Sequence, residues 1–473
     1  VRSAGLACSL LAALGVLGCG GGAPRLQIHK RTLVLLPLPW RRPSIHVADD
    51  GEHVTFAVRT SGGYYAMTPR GREETYADLG PPLFAPGSNR VYYWALDQRD
   101  GKKHIVLVAD GTAIPTDFAE TGSFVHAPGG TRWAALGWLD TGFDAEGKST
   151  GTNAEVIVDG HEAGRAAAMS RPTFSPDGAH VAWLARDERG TTTLVVDGTV
   201  TRTFETSAPP DPGAPRFDNL GWVGYLSDGR LLVLAPEGAG WAMFRGDERL
   251  ASYGQSIIPG STLFIGGQDT PANVVASSIV TAEHAPVAVW WEHMPGPEER
   301  WRVVRDGAAV DGMVCSSYWD TQPPVPSADG AHLAYVCPTP QEPSIPLGRR
   351  YVMLDGRRFG PYIETWTLGL AADGSRVAYG ASEALPVRHW RVFANGMPVS
   401  GVKDLVWRPR LSPDGAHVFW AGGPDPGRGT IAVDSRLVTR FDDLLYGPEF
   451  QTPGVATWVI RRGRKISRLD VRY

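Results

Sequence analysis

The chain has 473 residues, of which 42% are hydrophobic and 20% charged, with a formal net charge of −4. That balance speaks against a nucleic-acid partner, whose binding rests on Lys and Arg neutralising phosphates. With 57 glycines and 38 prolines the sequence is rich in turn formers, which suits many short strands. Length alone would give about three domains, a prior that an internal repeat overrides.

At the N-terminus, Arg2 supplies a minimal positive region and Ala4 to Gly18 is an apolar run of small residues. This is the layout of a secretory signal, and the run is too short to span a bilayer comfortably. Its end, Val16-Leu17-Gly18-Cys19, resembles the lipobox of bacterial lipoproteins. The resemblance implies a signal peptide over 1–18, cleavage before Cys19 and lipidation of Cys19. A loose tether over 19–31 would follow, opening Gly20-Gly21-Gly22-Ala23-Pro24. In that family an Asp after the cysteine favours inner-membrane retention; Gly20 stands there instead, so the expected location is the outer membrane, facing the periplasm or the surface. A plain secretory signal with a chance cysteine is the competing reading.

From there the chain repeats. Phe174-Ser175-Pro176-Asp177-Gly178-Ala179-His180-Val181-Ala182-Trp183 returns as Leu411-Ser412-Pro413-Asp414-Gly415-Ala416-His417-Val418-Phe419-Trp420, and weaker copies fill the chain between and around them. A period of roughly 40 to 50 residues implies stacked units that cannot bury their apolar faces alone. Each unit opens on a Pro-Asp-Gly or Asp-Gly turn. An apolar strand follows, then a polar loop, a second apolar strand ending in Asp-Gly, and a polar-aromatic stretch. Asp-Gly between apolar stretches predicts a hairpin, because the turn needs positive φ. The opening turns centre on Gly51, Gly87, Gly129, Gly178, Gly229, Gly330, Gly374 and Gly415. The gap of 101 residues between Gly229 and Gly330 hides a degenerate unit, visible at Ala285 to Trp291 and Trp301 to Gly307. A last partial unit, Gly454 to Ile460 and Lys465 to Val471, lacks a fourth strand, which Thr32-Leu33-Val34-Leu35-Leu36 could supply.

These residues resemble the WD40-like (PD40) repeats of the TolB propeller family over Ser44 to Tyr473. The resemblance implies an all-β propeller of four-stranded blades over 32–473, with the N-terminal strand closing the last blade. Copies such as Ala85-Pro86-Gly87 lack the aspartate and Ser327-Ala328-Asp329-Gly330 lacks the proline, which blurs the blade boundaries. The count is about 8–10 units. One large ring is favoured by the closing strand; two smaller rings would divide at the Gly- and Pro-containing stretch from Ser252 to Pro286.

Several motifs invite a chemical reading. Gly142-Phe143-Asp144-Ala145-Glu146-Gly147-Lys148-Ser149 fits the phosphate-loop pattern, but it lies between strand-like runs where phosphate binding needs a following helix. His53, His180, His332 and His417 each sit two residues after a turn glycine; spread over different blades they cannot converge on one ion, and Arg132 and Arg376 occupy analogous places. Arg461-Arg462-Gly463-Arg464-Lys465 and Arg245-Gly246-Asp247 read as hairpin turns. With Cys8 lost in the signal and Cys19 acylated, Cys315 and Cys337 remain, either bridged or as two buried thiols. The 16 tryptophans recur in strands, where packing between blades is the default role; a subset exposed at the mouth of the ring could stack on sugars or proline-rich peptides.

The leading functional expectation is a non-enzymatic, lipid-anchored envelope propeller that binds a protein, peptide or glycan, without a cofactor or metal. The alternative is a glycan- or peptide-processing enzyme with paired channel carboxylates. Asp140, Asp144, Glu146, Glu292 and Glu298 are available to it.

Overall fold

The second strand of each repeat is apolar on both faces, so it must be covered by a sheet on either side. Val181–Arg186, Leu333–Pro338 and Val377–Ser382 are buried along nearly their whole length, whereas fourth strands such as Thr199–Phe204 and Arg436–Phe441 are largely exposed. Stacking sheets in a closed circle satisfies this requirement for every unit. The computed structural model describes residues 26–36, 45–99, 102–139, 153–205, 220–238, 240–253, 280–281, 286–294, 300–316, 324–340, 348–383, 389–401, 403–425 and 428–473. They form ten antiparallel sheets, each a four-stranded meander; in two of them the first strand is split into two short pieces. The fold is a ten-bladed β-propeller with a single 3₁₀ turn, Pro128–Gly130, among the described residues.

Blades 1 to 9 span 45–76, 78–115, 120–166, 168–204, 222–253, 280–309, 325–362, 364–398 and 405–441. Blade 10 takes 443–472 together with Gln27–Leu35. First strands line the centre: those of blades 10 and 1, 1 and 2, 3 and 4, 4 and 5, 7 and 8, and 8 and 9 pack against one another. Between blades 8 and 9 the approach is so close that a Cβ on Gly369 would stand 2.7 Å from the Pro409 carbonyl oxygen, which reserves that position for glycine.

Turn chemistry fixes the hairpins. In blades 2, 3, 4, 6 and 7 the turn between third and fourth strands pairs an aspartate with a glycine, both at positive φ: Asp197 and Gly198 at 50° and 75°, Asp355 and Gly356 at 48° and 77°. Asn395 and Gly396 do the same at 47° and 82°. This is the hairpin conformation that matches strand twist, and Asp and Asn tolerate it. The turn between first and second strands closes Ser175 to Gly178, Ser327 to Gly330 and Ser412 to Gly415 by a backbone hydrogen bond. In blades 2 and 3 that bond closes Ala85 to Ser88 and Ala127 to Gly130. The turns therefore sit one residue further on than Gly87 and Gly129 would place them, because glycine there fills the slot that aspartate holds elsewhere.

One ring, not two, results. A cluster of buried side chains lies at every joint between consecutive blades. Across the Ser252 to Pro286 stretch, Leu234, Trp241 and Met243 of blade 5 pack on Ala288, Trp290 and Val304 of blade 6. The circle closes where Val54 and Phe56 of blade 1 meet Leu36, Val459 and Ile466. At that joint Gln27–Leu35 pairs antiparallel with Lys465–Arg472, beginning at Gln27 rather than Thr32. It is the outermost strand of blade 10, and its His29, Lys30 and Arg31 lie exposed on an edge that charge keeps from pairing further.

If that joint carries the ring, Ile466→Ala should cost about 2 to 5 kcal/mol, the range for truncating a fully buried aliphatic side chain. Chemical denaturation of the whole chain checks this. A loss below about 0.5 kcal/mol would show that the blade 10–blade 1 contact does not stabilise the ring.

Candidate functional site

A meander puts its first–second and third–fourth hairpins at one end of the blade, and its second–third and blade-to-blade connections at the other. The two ends of this ring differ in chemistry. On the hairpin end, the third-strand aspartate reaches the start of the second strand. Asp197 accepts the Val181 backbone N–H at 3.0 Å on one oxygen and His180 Nδ1 at 2.6 Å on the other. Asp355 holds Leu333 and His332 the same way at 2.9 and 2.7 Å, and Asp434 holds Val418 and His417, both at 2.9 Å. Ser175 donates its hydroxyl to Asp177, and with the Ala179 N–H this holds the Asp177 carboxyl below the usual carboxylate range. Each histidine thus serves the aspartate of its own blade. His53 instead bonds Asp50 in its own turn at 2.6 Å.

Arginine carries the staple to the neighbouring blade, from the histidine position in Arg132 and Arg376 and from the third strand in Arg305 and Arg468. Arg132 donates to Asp159 at 2.9 Å and to the Ala179 carbonyl of blade 4 at 2.5 Å. Arg305 donates to the Gly330 and Ala331 carbonyls of blade 7, Arg376 to those of Gly415 and Ala416 in blade 9, and Arg468 to the Asp50 carbonyl of blade 1. A shallow groove of about 500 Å³ between blades 3 and 4 is lined by Arg132, His161, Glu162 and Asp197. Two of these four, Arg132 and Asp197, are committed to the staples, so the groove belongs to the scaffold.

The opposite end is where the inner strands depart from regularity. In blade 8, Trp366 pairs with Gly380 and Leu368 with Tyr379, which leaves Thr367 as an extra residue at φ 47°. A β-branched residue in that region is strained by about 1 to 3 kcal/mol. Trp366, third in its strand from the loop-bearing end, is 48% exposed. One side of it contacts the buried Trp390 edge-on, with ring centroids 5.9 Å apart. Because cross-strand partners share a face, Glu364, its partner Ser382 and Trp390 lie on the same face as Trp366. Ser382 Oγ is buried there without a hydrogen-bond partner among the described residues. Glu383 follows and binds Arg391 at 3.3 Å.

The other first strands show how unusual this is. The residue paired with the fourth position of the second strand is Trp222 in blade 5 and Trp407 in blade 9; in blade 10, Tyr446 pairs one position further on, with Val459. In blades 2 and 4 the corresponding residues, Gly80 and Ser170, bond the Trp94 and Leu184 carbonyls. Trp222 is half-buried, and Tyr446 gives its hydroxyl to the Asp49 carbonyl. Burial, with Glu449, Asp49 and Asp50 nearby, pushes the Tyr446 phenol well above its ordinary range.

No protein-family model matches the chain, and no curated protein does. Among solved structures, BamB from Moraxella catarrhalis is 12% identical, with 75% of this chain covering 99% of that one at a TM-score of 0.32. The β-propeller domain of the trilobed protease from Pyrococcus furiosus is 11% identical over 67% of this chain and 94% of that one, TM-score 0.28. A Bacteroides ovatus structure described as a dipeptidyl aminopeptidase IV is 12% identical over 73% of this chain, TM-score 0.34; the match spans only 56% of its length. At these scores the likenesses bear on neither ligand nor activity.

The remaining sequence candidates fall as follows. Cys19, the Gly142 to Ser149 loop, Asp140 and Glu298 lie outside the described residues. Cys315 and Cys337 are joined in a disulfide with sulfurs 2.08 Å apart, tying the outer part of blade 6, where Cys315 bridges to Trp301, to the second strand of blade 7. Glu292 is bound by Arg302 at 2.5 Å. Arg245 pairs with Glu248 and with Asp306 of the next blade, both at 2.9 Å, and Arg464 donates to the Leu36 carbonyl, so both basic motifs are structural turns. Trp183, Trp290, Trp291, Trp390 and Trp458 are fully buried. Trp420 gives its indole N–H to the Asp434 carbonyl at 2.7 Å, while those of Trp183, Trp290, Trp291 and Trp458 find no acceptor among the described residues. His126, which the turn spacing does not single out, is buried against Tyr92 and Phe124, and burial pushes it down to about 4. Among the described residues no three His, Cys, Asp or Glu side chains are grouped as metal ligands.

Two outcomes test this end of the ring. The hydrogen bond to Asp355 raises the His332 pKa above its ordinary 6.5. The pairing therefore stabilises fully below pH 6.5 and is lost as pH rises through the raised value. Asp355→Asn keeps an acceptor for the Leu333 N–H but removes the charge. Ring-proton NMR should show His332 titrating nearer its ordinary value, and the stability difference from the unmodified chain should shrink as pH rises; an unchanged His332 titration would refute the pairing. Opening the disulfide releases a loop 22 residues long, worth about 3 kcal/mol in loop entropy. Cys315→Ala with Cys337→Ala should lower the denaturation midpoint accordingly and abolish its sensitivity to reductant.

Proposed function

We propose that the chain is a non-enzymatic binding propeller, held at the outer membrane by lipid on Cys19, that presents its loop-bearing end to an envelope protein, peptide or glycan. The observation that carries this reading is the division of labour between the two ends. Aspartate, histidine and arginine on the hairpin end are consumed in bonds to backbone and to neighbouring blades. The opposite end bears the longer and more varied connections, and there Trp366 is exposed on a strained inner strand. A rigid ring with variable connections on one rim is a scaffold for recognition. The resemblance of the Ser-Pro-Asp-Gly units to TolB-type repeats supports the same reading at the level of fold alone. The enzymatic alternative draws no support from the carboxylates described: Glu292, Glu449 and Asp443 are ion-paired with Arg302, Arg410 and Arg461.

Two experiments separate anchor from binding. In a bacterial host with lipoprotein processing, Cys19→Ala should move the protein from the membrane pellet to the soluble fraction; retention in the pellet would end the lipid-anchor assignment. For binding, a photocrosslinking residue at position 383, beside Trp390, is compared with one at position 375, in the blade 8 hairpin turn. Adducts with envelope components should form from 383. Adducts from 375 alone, or from neither, would overturn the assignment of recognition to the loop-bearing end.

A further inference from the structure

The course of Gln27–Leu35 decides which side of the ring an anchor would hold. Gln27 pairs with Arg472 and Leu35 with Lys465. Tyr473, next after Arg472, donates its N–H to the Gly454 carbonyl in the first–second turn of blade 10, and Leu26 packs on the same blade 9–blade 10 cluster as Tyr473. The chain therefore enters at the hairpin end, on the outermost strand, and climbs about 30 Å to the loop-bearing end. Cys19 precedes Leu26 by seven residues, a span of at most about 25 Å. Lipid on Cys19 would hold the hairpin-side rim around blade 10 nearest the bilayer and the loop-bearing end furthest from it.

That rim has the chemistry of an interfacial surface. Met397, Leu437 and Ile28 are 70, 60 and 46% exposed, each the first or second residue of the outermost strand in the consecutive blades 8, 9 and 10. Cross-strand partners share a face, so Met397, opposite Ala394, and Leu437, opposite Ala432, look into the joint between blades 8 and 9 from its two sides. Ile28, opposite Val471, and Arg436, opposite Val433, do the same between blades 9 and 10. Large apolar side chains left in water on neighbouring blades mark a contact surface. The charges are sorted the same way. Outermost strands of blades 7 to 10 hold Arg357, Arg358, Arg436, Arg440, Lys30 and Arg31 and no Asp or Glu, whereas those of blades 1 to 6 hold four Arg and four Glu. Carboxylates in the nearby turns are engaged, Asp355 with His332, Asp434 with His417 and Asp470 with Arg468. Arg31 reaches Glu52 of blade 1 at 3.0 Å. Arg357 and Arg358 lie over the rings of Phe359 and Tyr351, contacts made by the guanidinium face that leave its N–H edge for an anion. A bilayer surface offers acyl chain to the apolar side chains and phosphate to the guanidinium groups at adjacent depths. Of the surfaces that could cover this rim, it is the one the tether brings within reach.

Resting on the reading that Cys19 carries lipid, we propose that the hairpin-side rim of blades 7 to 10 lies on an anionic lipid surface, with Met397, Leu437 and Ile28 at the boundary of headgroups and acyl chains and Arg357, Arg358 and Arg436 on lipid phosphates. The contact turns the loop-bearing end away from the membrane and toward its ligand. Without the anchor the rim binds weakly and reversibly, as even a single acyl chain does, so a membrane pellet washed in high salt reports the anchor alone.

The test sediments the lipid-free Cys19→Ala chain with vesicles of phosphatidylglycerol and with vesicles of phosphatidylcholine. It should bind phosphatidylglycerol more tightly and be released by high salt. Met397→Asp with Leu437→Asp should weaken that binding by about tenfold or more, and should leave the unfolding temperature unchanged within error because both side chains are mostly in water. Val200→Asp is the control: Val200 is 57% exposed at the matching place in blade 4, away from the tether, and its loss should leave binding unchanged. No binding to phosphatidylglycerol, equal binding to the two lipids, or a loss from Val200→Asp as large as that from the 397 and 437 pair would each overturn the proposal. The assay needs no lipid on Cys19, so the two readings fail separately. A chain shown by mass spectrometry to carry lipid on Cys19, whose Cys19→Ala form ignores phosphatidylglycerol, would sink the rim contact and leave the anchor standing. Selective vesicle binding by a chain that carries no lipid would end the anchor and leave the rim contact standing.

Discussion

Everything in this molecule follows from one constraint: a sheet whose central strands are apolar on both faces must find a neighbour on both sides. A row of such sheets always has two uncovered ends, and only a closed circle has none. That is why the joint between blades 10 and 1 matters more than any other single contact. Leu36, Val54, Phe56, Val459 and Ile466 meet there from the two ends of the chain. Blade 10 is itself built from both ends, since Gln27–Leu35 completes a sheet whose other strands are the last in sequence. Closing the circle therefore ties the first described strand to the last, and unravelling from either end must break a sheet as well as an interface.

The same constraint sorts the polar residues. Two faces of every blade are spent on packing, which leaves the strand ends for chemistry, and one set of ends is spent on holding the ring in register. The aspartate at the end of the third strand illustrates the economy: its left-handed backbone makes the hairpin, one carboxylate oxygen caps the N–H that opens the second strand, and the other takes a histidine or arginine. Where the partner is arginine, as Arg132 is for Asp159, its longer reach extends the same contact to the next blade's turn at Ala179. Repetition of acidic and basic residues at this end is thus the trace of a structural joint.

The architecture was readable because turn chemistry is local. An aspartate followed by glycine at positive φ leaves the same signature in blades 2, 3, 4, 6 and 7, so that even the degenerate sixth blade could be found from Trp290-Trp291 and Asp306-Gly307. What depends on contacts between units was less so. Ring number turns on whether Trp241 packs on Trp290 across a long connection, and no periodicity reports that. The turns of blades 2 and 3 were misplaced by one residue because glycine can stand where aspartate usually does. The exposed tryptophan was hidden for a related reason. Counted forward it is one of 16, and only its register against Gly380, beside a bulge that no local motif announces, sets it apart. Aligning first strands backwards from their turns would have brought Trp366 and Trp407 to one column opposite Gly80 and Ser170.

That column shows how a symmetric fold acquires a unique site. Ten equivalent positions on the inner strands begin with equal access to the rim, so function there requires breaking equivalence. Glycine and serine at Gly80 and Ser170 bring backbone close to backbone, and Trp222 is half-buried. At Trp366 the large side chain is neither covered nor tied by a hydrogen bond, and the strand that bears it carries strain that a glycine at position 367 would remove. A ring held rigid by nine other joints can maintain such a strained element, because relaxing it would mean moving blade 8 against Pro409 and Val406 of blade 9, with which Gly369 and Gly380 are already in close contact. The stiffness that repetition provides is what lets one blade hold an unburied tryptophan in place.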